Sequence, residues 1–191
     1  MNQGNRVFIA ISLSEAISKK IEVIQDKLKK TKADVRWVKP ANIHLTLKFL
    51  GNITPEQISG LKQGLEKIAR KFQPFSIFIE EMGSFPSIDS PRVIWVGISR
   101  GKEILNKMNK AIEDDLAKIG FPREERAFHP HLTLGRCRSS KHRSQLAKQI
   151  KTESAFLGAL AVDRISIYKS LLTSEGPVYS LLSDVVLKGR A

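Results

Sequence analysis

His44-Leu45-Thr46-Leu47 recurs as His131-Leu132-Thr133-Leu134, 87 residues further along the chain. Two of the four histidines fall inside this repeat. The pattern suits a β-strand. Side chains alternate across the pleat, so His44 and Thr46 share one face while Leu45 and Leu47 share the other. His131 and Thr133 stand in the same relation to Leu132 and Leu134. Each motif can sink its leucines into a core and present His plus Thr to a cleft. Two such strands about a pseudo-twofold axis would turn two imidazoles toward one space.

Outward from the motifs, strand and helix signals alternate. Val7–Leu13 reads as a strand. Ser14 caps a helix to about Lys30, with Ile17, Ile21, Ile24 and Leu28 at helical spacing. Val35–Val38 and Ile43–Gly51 read as strands. Thr54-Pro55-Glu56-Gln57 is a helix start with a capping Thr, Pro in the first turn and Gln three residues on; that helix runs to about Lys71. Phe75–Phe85 and Arg92–Ser99 are β-rich, with a turn over 86–91. Lys102–Ile119 is helical and closed by Gly120 and Pro122. His131–Arg136 is a strand, Ser140–Lys151 a helix, and Arg164–Leu172 and Val178–Leu187 a strand pair across Ser174-Glu175-Gly176-Pro177. Adjacent strands without a helix between them argue against a purely parallel sheet. The fold class expected is α+β and bilobal: two largely antiparallel sheets around a central cleft, helices outside, all in one domain over 1–191.

The 191 residues carry 41% hydrophobic and 27% charged side chains, ordinary for a globular chain able to bury one sizeable core. Lysine and arginine number 32 against 19 acids, a net charge of +13. That excess favours a polyanionic partner through phosphate contacts and counterion release. From Arg136 through Lys151, directly after the second motif, there are six lysines and arginines and no acid. The lone Cys137 excludes an internal disulfide and a tetrahedral thiolate zinc site. No run approaches the ~20 apolar residues of a membrane span, and the apolar run near the start is too short for a signal-peptide core. A cytoplasmic location without membrane association is the expectation.

Two imidazoles in one cleft of a basic chain suit phosphodiester hydrolysis. One takes a proton from water and the other protonates the departing sugar oxygen. An ordinary imidazole pKa near ~6.5 keeps both forms available near neutrality, and such acid–base help is worth about 10²–10⁴ in rate. Thr46 and Thr133 can donate hydrogen bonds to phosphoryl oxygens. On the residues alone, which histidine is acid and which is base stays open.

The two His-x-Thr-x motifs resemble those of the 2H phosphoesterase family. The longer strings His44-Leu-Thr-Leu-Lys-Phe-Leu-Gly51 and His131-Leu-Thr-Leu-Gly-Arg136, with the start Arg6–Ile11, look like the bacterial and archaeal RNA 2′,3′-cyclic phosphodiesterases, also known as 2′-5′ RNA ligase-like proteins. The resemblance covers essentially the whole chain. It implies a bilobal fold that needs no metal or other cofactor and opens a terminal 2′,3′-cyclic phosphate to a 2′-phosphate. It also implies that His44 is the proton donor to the leaving 3′-oxygen and His131 the acceptor from water. The partners implied are RNAs with cyclic phosphate ends, such as tRNA fragments, or small cyclic nucleotides, met by a monomer. The competing readings are 2′-5′ RNA ligation as the main role and a non-catalytic RNA-binding module.

Beyond the motifs, Phe49 and Arg136 each stand five residues after a histidine. Arg136 can pin a phosphate. Phe49 can stack on a base, although a core position suits its hydrophobicity better. An odd offset puts both on the face opposite the histidines in a regular strand, so each strand must end, twist or bulge, as Gly135 would permit. Lys48 has the parity of His44 and is expected to face solvent. His129 is expected to position the loop rather than to share a metal with His131. Trp37 and Trp95 are expected in the core or the cleft wall.

Overall fold

The computed structural model describes residues 5–174 and 176–189. Expectations for Met1–Gly4 and for Glu175 fall outside the described residues. The elements are β1 (Asn5–Ser12), α1 (Glu15–Lys29), β2 (Val35–Trp37), a 3₁₀ turn (Pro40–Asn42), β3 (His44–Ile53), α2 (Pro55–Ala69), β4 (Phe75–Pro86), β5 (Pro91–Arg100), α3 (Lys102–Ala117), β6 (His131–Cys137), α4 (Arg143–Thr152), β7 (Gly158–Val162), β8 (Arg164–Thr173) and β9 (Gly176–Val186).

Local chemistry sets the helix starts. Ser14 Oγ accepts from the Ile17 amide at 3.4 Å. Thr54 and Gln57 form a full capping box, Gln57 N to Thr54 Oγ1 at 3.4 Å and Thr54 N to Gln57 Oε1 at 2.9 Å. These satisfy amides that have no partner within the helix. The apolar stripe read on α1, Ile17, Ile21, Ile24 and Leu28, is buried as spaced. α4 starts at Arg143, three residues later than the sequence suggests. β7 carries no strand signal in the sequence, because Gly158-Ala-Leu-Ala-Val162 has little β-branched or aromatic content.

Every strand pairing is antiparallel, in the order β7-β4-β5-β6-β3-β1-β8-β9, with β2 on the flank of β6. The two expected sheets are present as two halves, β3-β1-β8-β9 and β6-β5-β4-β7. A single residue pair, Leu45 with Leu132, joins them. The pseudo-twofold relation runs deeper than four residues. The order strand, helix, motif strand, helix occurs as β1-α1-β3-α2 and again as β5-α3-β6-α4.

One sheet face is covered. Val7, Ile9 and Ile11 of β1, Leu45 and Leu47 of β3, and Leu132 and Leu134 of β6 join the apolar stripes of the helices in one core. The other face carries no helix in this core and holds the histidines. Among the described residues, no helix is long and apolar enough to cross a membrane.

Candidate active site

The join at Leu45 and Leu132 fixes the geometry of both motifs. In an antiparallel pair, residues beside a matched pair point to the opposite face from it. With the leucines in the core, His44, Thr46, His131 and Thr133 all turn to the open face. His44 and Thr46 flank the matched pair on one strand and His131 and Thr133 flank it on the other, so both imidazoles stand on one face beside the join.

Both motif strands bulge at the same place. β3 pairs Thr46 with Ala10 and Lys48 with Ile9, leaving Leu47 as the extra residue. β6 pairs Thr133 with Trp95 and Gly135 with Ile94, leaving Leu134 extra. Each bulge falls three residues after a histidine and inverts the alternation beyond it. Phe49 then lies opposite Phe8, and Arg136 opposite Val93, on the histidine face. Phe49 is 69% exposed, which corrects the expectation of a core position. Gly135 serves close approach: a Cβ there would come 2.6 Å from Val35 Cγ1 on β2.

The same inversion corrects Lys48. It faces neither solvent nor the cleft. Its side chain turns inward with Ile9 and is 5% exposed, with Nζ donating to Glu113 Oε2 at 2.5 Å and to the Pro122 carbonyl at 2.8 Å. Glu113 also accepts the Glu124 amide at 3.1 Å. Lys48 therefore ties β3 to α3 and to the loop that leads into the second motif.

Two amides that sequence reasoning passed over hold the bulges. Asn109 Nδ2 on α3 donates to the Leu47 carbonyl at 2.8 Å. Gln25 Nε2 on α1 donates to the Leu134 carbonyl at 2.9 Å and to the Val38 carbonyl at 2.8 Å, and Gln25 is 1% exposed. The exchange is reciprocal: the helix that follows β1 satisfies the bulge of β6, and the helix that follows β5 satisfies the bulge of β3. A signal existed. Gln25 sits between Ile21 and Leu28, and Asn109 between Leu105 and Ile112, each a polar amide on an otherwise apolar stripe.

Each imidazole is held by the carbonyl two residues before it. His44 Nδ1 lies 2.9 Å from Asn42 O, and His131 Nδ1 2.6 Å from His129 O. A carbonyl oxygen only accepts, so both Nδ1 atoms carry hydrogen and both Nε2 atoms are left for chemistry. His129 thus contributes its backbone, while its ring is exposed. His44 stacks on Phe8 at 4.6 Å between centroids and meets the edge of Tyr179 at 5.3 Å. His131 meets Phe85 edge-on at 5.1 Å and lies 6.5 Å from Trp95. Trp95 lies flat because Gly83 opposite it has no Cβ; one there would come 2.3 Å from the indole. Trp95 is thus a wall of the site. Trp37 packs against the core.

Burial pulls His44 down to about 4, opposed in part by the hydrogen bond to Asn42. It also lowers His131, opposed by the His129 carbonyl and assisted by the positive charge of Arg136. Both rings are neutral at pH 7 in the protein by itself. A pocket of about 260 Å³ opens beside His44, lined by Ser12, Asn42, Tyr168 and Tyr179 among others. Among the described residues, no three His, Cys, Asp or Glu side chains gather as a metal set. The arrangement offers two Nε2 atoms, two threonine hydroxyls and a guanidinium on one face, with aromatic rings beside both histidines.

Comparison with known proteins gives the same pattern. The family described as LigT like Phosphoesterase matches residues 11–95 and again 96–179, one match per repeat. An RNA 2′,3′-cyclic phosphodiesterase of Methanothermobacter thermautotrophicus is 34% identical over 176 residues, covering 92% of this chain and 95% of that one. An enzyme of the same name from Thermotoga maritima is 35% identical over 184 residues, covering 96% of each. Among solved structures, a Thermus thermophilus protein superposes with a TM-score of 0.83 at 24% identity, covering 97% of this chain and 100% of that one. E. coli LigT complexed with 3′-AMP superposes at 0.78 with 25% identity, covering 97% and 99%. With both repeats matched and relatives aligned almost end to end, the chain belongs to the LigT-like phosphoesterase family.

Proposed function

We propose that this enzyme is an RNA 2′,3′-cyclic phosphodiesterase that uses its two histidines, without a metal, as acid and base. The observation that supports this most directly is the matched pair of imidazoles on one face, each with Nδ1 occupied and Nε2 free. The names of the relatives support the substrate.

In the proposed reaction His131 Nε2 takes a proton from water as the water oxygen bonds to phosphorus. The bond from phosphorus to the 3′-oxygen breaks, and His44 Nε2–H protonates that oxygen. The product ends in a 2′-phosphate. Thr46 and Thr133 donate hydrogen bonds to the non-bridging oxygens, Arg136 offsets their growing charge, and Phe49 offers a face to a base. His44 must hold a proton to act as acid, although burial keeps it neutral in the protein by itself. The phosphate anion supplies the remedy: a negative charge beside a buried imidazole favours the imidazolium, so substrate binding loads the acid. One chain carries both motifs, so a monomer suffices, and its single cysteine suits the cytoplasm.

The test is an oligonucleotide ending in a 2′,3′-cyclic phosphate, incubated with the enzyme in EDTA and followed by end-group analysis. A 2′-phosphate end is expected. His44→Ala and His131→Ala should each lower turnover by about 10²–10⁴ with circular dichroism unchanged. Binding without turnover would sink the enzyme reading, and a 3′-phosphate product would reverse the assignment of leaving group. Loss of activity in EDTA would show that a metal is needed.

A further inference from the structure

One basic side chain on the open face has no place in the reaction above. Arg36 on β2 is directly opposite Arg136 on β6. Val35 and Trp37 on either side of it turn to the core, so Arg36 turns to the histidine face, where it is exposed. Like charges directly opposed across a strand pair are destabilising. Arg123, Arg126 and Arg164 each meet a carboxylate, and none of these stands opposite another arginine in a strand pair. Arg36 and Arg136 are in no ion pair among the described residues.

The pair sits one step along the cleft from the imidazoles. Arg136 follows Thr133 past the bulge, and its charge reaches both His131 and Tyr179. Arg36 lies farther out and extends toward the β8–β9 turn: a Cβ added at Gly176 would be 3.4 Å from Arg36 Nη2. The Asn42 side chain donates to the Pro177 carbonyl at 2.9 Å and holds that turn beside the site. Arg36, opposite Arg136 across the strands and reaching the turn at Gly176, makes a second anion position beside the one that Arg136 serves.

We propose that Arg36, with Arg136, binds a phosphate on the 5′-oxygen of the nucleoside whose 2′,3′ end lies between the histidines. This rests on the phosphodiesterase reading for its orientation. It makes the enzyme a reader of RNA chain ends in preference to bare cyclic nucleosides. A guanidinium offers two parallel donors to a phosphate, so the contribution is a geometric one as well as a charge.

Binding decides the matter independently of turnover. Three ligands carry the same terminal adenosine 2′-phosphate: a dinucleotide, its methylphosphonate-linked analogue with a neutral linkage, and the mononucleotide with a free 5′-phosphate. Wild type should bind the charged dinucleotide roughly ten-fold more tightly than the neutral one, the size of a charge-assisted hydrogen bond. Arg36→Gln should erase that ratio and flatten the salt dependence by about 0.7 in log–log slope. Arg36→Lys, which keeps the charge without the fork, should retain part of it. The free 5′-phosphate arm separates a chain-end site from a mononucleotide site. Tighter binding of the monoester than of the diester would overturn the RNA assignment. Equal binding of charged and neutral dinucleotides by wild type, or a ratio that survives Arg36→Gln, would overturn the subsite itself. Failure of every cyclic substrate to turn over would instead count against the proposed reaction and leave these ratios readable.

Discussion

At Nδ1 of His44 and of His131, a backbone carbonyl decides the tautomer before any substrate arrives. The chemistry then depends on protonation at Nε2 alone. In the proposed reaction the free enzyme is productive when His44 is protonated and His131 is neutral. Above both pKa values the acid is lost; below both the base is lost. Burial lowers both, His44 to about 4. The optimum of kcat/KM therefore falls on the acid side of 6.5, while kcat, measured with phosphate bound, peaks at higher pH. A kcat/KM optimum above pH 7 would contradict this. The same shift acts on stability. The folded state resists protonating His44, so its contribution is whole above the unfolded value near 6.5 and is lost as pH falls toward 4. By pH 5 the loss is on the order of 2 kcal/mol. Urea titrations at pH 7 and pH 5 should show that loss in wild type and a smaller one in His44→Gln.

The bulges operate at the scale of the element. Strand parity on the sequence places His44, Thr46, His131 and Thr133 together, and it marks Phe49 and Arg136 as needing a departure from regularity. It does not locate that departure, because a bulge is a property of two strands and of the carbonyl it exposes. That carbonyl is satisfied from a distant helix, by Gln25 in one half and Asn109 in the other. Helix starts are readable from local capping, as at Ser14 and Thr54, whereas β7 and the inward turn of Lys48 depend on contacts distant in sequence. Gln25→Leu should cost roughly 1–3 kcal/mol by leaving the Val38 carbonyl without its donor and the Leu134 carbonyl with the Val38 amide alone. It should also misdirect Arg136. The kcat/KM losses of Gln25→Leu and Arg136→Ala should then overlap in the double variant. Fully additive losses would show that Gln25 supports the fold alone.

Across the whole molecule, one strand pair between Leu45 and Leu132 is a narrow join for two halves that must hold their imidazoles in register. The amide exchange between helices reinforces it, and Lys48 adds a third tie. From β3 it reaches Glu113 on α3 and Pro122 in the loop that ends at His129, whose carbonyl orients His131. A strand of the first half thus steadies the approach to the catalytic base proposed in the second. Lys48→Ala leaves the Glu113 carboxylate, 13% exposed, without its cation. Breaking one side of such a pair costs about 3–5 kcal/mol, less where water reaches the survivor, while replacing both partners by apolar groups costs far less. The single variant should therefore lose about 3 kcal/mol and speed amide exchange over residues 121–130. Lys48→Met with Glu113→Leu should recover most of the stability and leave the loop less restrained, since Pro122 and Glu124 have lost their partners. Activity is the deciding measurement. If the loop sets His131, the double variant stays impaired in kcat after its melting temperature is restored; if kcat returns with stability, the tie serves the fold only.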